Sequence, residues 1–191
     1  MTPDLGADET LREIPSGEYW VPFVLRMFAR MKGETLFLDT DCIVQRDVSD
    51  VFDDKSFDIA VTLKRKRFAQ YVDPQGETHY MPFSMGVVFS RAPGFWLMLA
   101  ERVVKLTDPM MLGWWGAQAE LMRVYSTEPN PWAMKILDAD KYNFTPNAED
   151  EDVSGRAIVH YKGLHRKHWA MPGFAPLPQK RTVDLPVAQE A

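Results

Sequence analysis

The chain has 191 residues and a formal charge of −5, with 46% hydrophobic and 26% charged residues. That composition suits one globular domain, excludes collagen-like and wholly disordered chains, and argues against a nucleic-acid coat. A single cysteine, Cys42, rules out an intrachain disulfide framework and a multi-cysteine metal site.

No stretch reaches the roughly 20 apolar residues of a membrane span, and the richest, Trp20 to Met31, is cut by Arg26 and Arg30. The start, Met1-Thr2-Pro3-Asp4, lacks the apolar centre of a signal peptide, so a soluble, cytoplasmic protein is expected. Residues 1–18 read as an irregular lead-in. Trp20, Val24, Met27 and Met31 recur at helical steps, and Gly33 is placed to cap that helix. Thr35-Leu36-Phe37-Leu38 is a continuous apolar run of the kind found in buried parallel strands, and it ends in Asp39-Thr40-Asp41 before a second apolar pair, Ile43-Val44.

Phe57 to Leu63 predicts a further strand. The segment from Lys64 to Pro82 is polar, opens with Lys64-Arg65-Lys66-Arg67 and turns at Pro74-Gln75-Gly76. The basic run reads as a solvated loop on the ligand side. Met85 to Ser90 predicts a strand, Pro93 to Leu106 a helix with Phe95, Leu99 and Val103 on one stripe, and Gly116 to Tyr125 another helix. Of the neighbours Trp114 and Trp115, one is expected in the core and the other exposed. Short strands are predicted at Trp132 to Leu137 and Ala157 to Tyr161. Beyond 170 the chain is a Pro-rich tail over 171–191. Alternating helices and strands define an α/β domain over 19–170.

Asp39 and Asp41, two apart at a strand end, can address one point, and their mutual repulsion is relieved by a hard divalent cation. Near the other end, Ala157-Ile158-Val159 delivers His160, a possible further ligand. Gly163 then allows close backbone approach to a phosphate, and Arg166 or Lys167 can neutralise it. An acidic metal motif and a basic loop together suit a leaving diphosphate.

Five blocks, in order, carry a family resemblance. Leu36 to Phe52, with Asp39-Thr40-Asp41 and Arg46-Asp47-Val48-Ser49-Asp50-Val51-Phe52, resembles the D-x-D region of glycogenin-like glycosyltransferases of family 8. Pro82 to Phe89, Trp115-Gly116-Ala117-Gln118, Lys141-Tyr142-Asn143-Phe144 and His160-Tyr161-Lys162-Gly163 with Lys167 and Trp169 resemble the segments that follow in that family.

The resemblance implies a GT-A fold, a Rossmann-like mixed sheet flanked by helices. It implies transfer of a sugar from a nucleotide-sugar donor, a UDP-sugar first, with retention and with Mn²⁺ or Mg²⁺. Carried over, Asp39, Asp41 and His160 bind the metal. Gly163 and Lys167, with Arg166 as an alternative, bind the diphosphate. Ser84, Gly86 and Gln118 line the donor sugar, Gln118 as the catalytic residue.

There are departures. Ala117 stands where the family prefers aspartate, Ser84 where it has asparagine, and His168 where it has proline, with one extra residue between Gly163 and Lys167. Only the last helix and strand of a nucleotide-binding βαβ unit fit before Asp39. The resemblance thus leaves open a truncated front, a different grip on the base, or a degenerate transferase. Two other function classes stand beside it. One is a catalytically impaired GT-A module acting as a binding or structural subunit. The other is a phosphohydrolase of the haloacid-dehalogenase kind, with Asp138 and Asp140 as its second acidic pair; the closing histidine–glycine–lysine motif has no role there.

Overall fold

The helical spacing after Tyr19 winds into α1 (Trp20–Arg30), the first regular element of the computed structural model, which describes residues 17–64, 69–163, 166, 167 and 169. Residues 65–67 of the basic run, the lead-in up to residue 16, His168 and the tail lie outside the described residues. The stripe that α1 buries is offset by one residue from the expected one. Val21 and Leu25 enter the core with Phe28 against them, whereas Trp20 and Met31 are exposed. The helix is apolar on two faces because one packs along α2 (Pro93–Val104) and the other lines a cleft. It stops at Met31, whose backbone is extended; Gly33 is no cap but takes φ +76° in the turn that follows.

That turn leads into β1 (Thr35–Leu38), the edge of a four-stranded sheet ordered β1-β6-β3-β7, with β3 at Ile59–Leu63, β6 at Phe83–Ser90 and β7 at Met134–Leu137. β1 is not hydrogen-bonded to a parallel neighbour, as its apolar run suggested. It pairs antiparallel with β6, which inserts between it and β3, and only β3 and β7 pair in parallel. Phe37 is covered by the helices, and Leu38, at the open edge, is 39% exposed. The carboxyl ends of β1, β3 and β7 nevertheless share one side of the sheet, the side where ligands sit in open α/β sheets.

Alternation along the central strands separates two cores. Ile59, Val61 and Val88 face α1, α2 and α3 (Gly116–Tyr125), around Phe95, Trp96 and Leu99. Ala60, Val87 and Phe89 face the 3₁₀ turn Ser49–Asp53 and Ile158. The one buried indole N–H in the first core, that of Trp96, donates to Ser90 Oγ at 2.8 Å.

Two smaller ribbons complete the molecule. β2 (Cys42–Val44) pairs antiparallel with β8 (Ile158–His160), setting Cys42 opposite His160. β4 (Ala69–Val72) and β5 (Thr78–Met81) form a hairpin in the polar segment, on either side of the turn expected at Pro74-Gln75-Gly76, where no strand was predicted. Asp73 accepts the N–H groups of Gln75 and Glu77 in its turn, and Gly76 takes φ +85°. A π-helical turn, Met111–Trp115, precedes α3, and α4 (Ala139–Tyr142) is capped by Asp138. No helix among the described residues is long and apolar enough to cross a membrane.

Candidate active site

A cleft of about 730 Å³ opens at the carboxyl ends of β1 and β3, between α1, the start of α3 and the chain leaving β8. Every residue that the family resemblance assigns to metal, diphosphate or sugar lines it: Asp39, Asp41, Ser84, Gly86, Gln118, His160, Gly163, Arg166 and Lys167. Backbone pairing brings its acidic part together. Asp39 N–H donates to Gly86 O, Cys42 N–H to Asp39 O, and Tyr161 N–H to Asp41 O, which ties β1, β6, β2 and β8 at one point.

His160 is buried, with its Nε2 2.9 Å from Asp41 Oδ1 and 3.4 Å from Asp39 Oδ2. On the far side of the ring, Nδ1 lies 2.9 Å from Asn143 Oδ1, and Asn143 Nδ2 donates to Thr62 Oγ1 at 2.7 Å. With the amide oxygen toward the ring, Nδ1 can donate to Asn143 and turn the Nε2 lone pair to the carboxylates, the tautomer that a metal ligand requires. Burial, and then the Lys162 charge, push the imidazole down to about 4, so it is neutral at pH 7. Burial and the charge of Asp41 hold the Asp39 carboxyl above its ordinary value.

In that tautomer three acceptors converge, an arrangement that a cation resolves. Cys42 belongs to the same cluster, but its thiol is pushed up to about 12 by burial and the two aspartates and donates to Gly86 O. The set offered is therefore oxygen and imidazole nitrogen, which suits Mn²⁺ or Mg²⁺ and fits the expected ion. Gly86 passes beneath it so closely that a Cβ there would stand 2.1 Å from His160 Cε1 and 2.6 Å from Asp39 Oδ2.

Cations occupy the adjoining wall. Lys167 Nζ is 3.3 Å from Asp41 Oδ2, and Gly163 takes φ +86°. Arg166 Nη1 donates to Lys162 O, and its Nε is buried without a hydrogen-bond partner. Both candidates for the diphosphate cation are therefore present, and neither displaces the other. Gln118 lines the cleft and has a buried Oε1 with no hydrogen-bond partner among the described residues; Ala117 before it is buried. Trp115 packs on Met81 and Met111 while Trp114 is 62% exposed, the division expected of adjacent residues. Asp138 and Asp140 are not in the cleft; Asp138 accepts from Asp140 N–H as a helix cap.

Three residues were not singled out as site residues. Lys162 lies in the turn after β8 that its N–H closes on His160 O, and its Nζ donates to Ser84 Oγ at 2.9 Å. Lys64, named only as part of a solvated basic run, enters the cleft with its Nζ 5.8 Å from the Trp115 ring centroid; burial and the charge of Lys162 push it down to about 8. Thr62, which fixes Asn143, had no signal, being 81 residues away in the chain.

No protein-family model matches the chain, and the comparison with curated proteins finds no match. Among solved structures, the chain superimposes with a TM-score of 0.58 on a glycosyltransferase involved in glycosylation of the major capsid of PBCV-1, at 16% identity over 84% of this chain and 82% of that one. The glycosyltransferase GlyE of Streptococcus pneumoniae TIGR4 gives a TM-score of 0.48 at 15% identity, over 78% of this chain and 42% of that one. The mixed sheet and its flanking helices form a GT-A-like glycosyltransferase fold.

Proposed function

We propose that the chain is a metal-dependent glycosyltransferase related to the glycogenin-like family 8, moving a sugar from a UDP-sugar to an acceptor hydroxyl with retention. The observation that carries this is the convergence of Asp39, Asp41 and the His160 Nε2 lone pair at one end of a cleft whose next wall is basic. Asp39, Asp41 and His160 would hold Mn²⁺ or Mg²⁺, which when bound supplies positive charge to a diphosphate.

The other roles follow from position. The backbone at Gly163 admits a phosphate closely, while Arg166 and Lys167 supply fixed positive charge. As the bond between the anomeric carbon and the diphosphate oxygen breaks, negative charge grows on the diphosphate, and these cations stabilise it most at that stage. Gln118 has an unmet acceptor, Oε1, for a sugar hydroxyl, which would orient the ring beside the leaving group. Asn143 and Thr62 keep the His160 proton on Nδ1 so that Nε2 stays available.

Ala117 favours a second reading, a module that binds the donor without turnover, because an apolar methyl stands where the resemblance expects a carboxylate. Nucleotide release from UDP-glucose and UDP-galactose, with Mn²⁺ and without acceptor, tests the choice. Slow release lost in Asp41→Asn supports the enzyme. Tight Mn²⁺-dependent binding with no release supports the binding module.

A further inference from the structure

Two ammonium groups in the cleft have no carboxylate partner. Lys162 Nζ is anchored on Ser84 Oγ at 2.9 Å. Lys64, at the end of β3, holds its Nζ 5.8 Å from the centroid of Trp115. Neither forms an ion pair among the described residues, whereas Lys167 reaches Asp41 Oδ2 at 3.3 Å. Both are partly buried, so each is short of the water that normally surrounds an ammonium group. Asp39 and Asp41 partly offset the Lys162 charge, yet Lys64 and Lys162 still repel each other, and an anion that enters between them relieves that repulsion.

Their position says what part of a ligand that is. The donor diphosphate is already matched by Arg166, Lys167 and the cation that the aspartates hold. Lys162 is held on Ser84 and Lys64 beside Trp115, and Ser84 is among the residues that the resemblance assigns to the donor sugar. Trp115 lines this part of the cleft, and Gln118 carries a buried Oε1 with no hydrogen-bond partner among the described residues.

We propose that Lys64 and Lys162 form a subsite for an acid group, a carboxylate or a phosphate, carried by the transferred sugar or by the acceptor. The inference rests on the nucleotide-sugar reading above. It narrows the substrate to one that is negatively charged at a point beyond the diphosphate. Charge-assisted hydrogen bonds from partly desolvated ammonium groups discriminate on the order of tenfold to a hundredfold against a neutral analogue.

Calorimetric titration of the full chain with Mn²⁺ tests it. The donor arm compares UDP, UDP-glucose and UDP-glucuronate. The acceptor arm, with UDP bound, compares glucose with glucose 6-phosphate. In at least one arm the acid-bearing compound is expected to bind on the order of tenfold to a hundredfold more tightly than its neutral partner. The advantage is lost in Lys64→Met and Lys162→Met, retained in Lys162→Arg, and UDP affinity is unchanged. Equal binding of acid and neutral compounds in both arms overturns the inference alone. So does a Lys162→Met variant that weakens UDP as much as it weakens the acid-bearing compound, since that places Lys162 on the diphosphate. Failure of UDP itself to bind overturns the nucleotide-sugar reading and this inference with it. Circular dichroism of each lysine variant separates loss of the subsite from loss of fold.

Discussion

A methyl group at Gly86 would overlap both His160 and Asp39, so Gly86→Ala is expected to push apart the groups proposed to hold the metal. The overpacking costs about 1–3 kcal/mol. The decisive readout is that added Mn²⁺ no longer shifts the melting temperature in the presence of UDP. Asn143→Leu removes the acceptor that holds the His160 proton on Nδ1 and should weaken Mn²⁺ binding about 10–100-fold. Asn143→Asp keeps an acceptor and should weaken it less, a contrast that titration calorimetry with Mn²⁺ measures directly. Cys42, with its thiol pushed up to about 12, should alkylate far more slowly with iodoacetamide at pH 7 than a free thiol. Prompt labelling of the folded protein would contradict its place beneath the aspartates. At this scale the sequence was informative where an apolar run delivers a polar residue to a strand end, as β1 does for Asp39 and β8 for His160; Asp41 joins Asp39 through the turn that Cys42 N–H closes on Asp39 O. The sequence was silent where a partner comes from another element, as Thr62 does for Asn143.

Among the elements, α3 is fixed to α2 by Glu120, a buried carboxylate that accepts from Arg102 Nε and Arg123 Nη1. Glu120→Ala should destabilise the fold by about 1–3 kcal/mol, less than for a fully buried ion pair, because both guanidinium groups can rehydrate. Urea denaturation measures that loss. The β4–β5 hairpin responds to acid. Asp73 accepts from His79 Nε2 and from the N–H groups of Glu77 and Gln75, which hold its carboxyl below the ordinary value. A folded-state pKa below the unfolded one gives stability that is present above the ordinary carboxylate range and lost as pH falls through the folded value. Hydrogen-exchange protection of the β4 and β5 amides should therefore fall in acid before that of β6. This hairpin was not legible because its strands are four residues each and flank a proline turn. α3 was legible to the residue, since Gly116–Tyr125 carries its own helical stripe. α1 was found but turned, because two apolar faces give the same period and only the cleft decides which is buried.

For the molecule as a whole, alternation of apolar runs and helical stripes is enough to specify an α/β domain. The order β1-β6-β3-β7 is not, because β6 enters from 45 residues downstream of β1 to separate it from β3. The site survives that difference because the strands on either side of β6 still point their carboxyl ends the same way. This end of the sheet is proposed to hold a metal and a nucleoside diphosphate together. Thermal denaturation of the full chain with UDP, GDP, ADP and CDP, with Mn²⁺ or with chelator, beside Asp41→Asn, tests this most directly. A ligand at 100 times its dissociation constant adds about 2.7 kcal/mol, which for this size raises the melting temperature on the order of 5–11 °C. The account predicts such a rise for UDP with Mn²⁺, absent with chelator and absent in Asp41→Asn. No rise with any nucleotide, or one indifferent to Mn²⁺ and to Asp41, would contradict it.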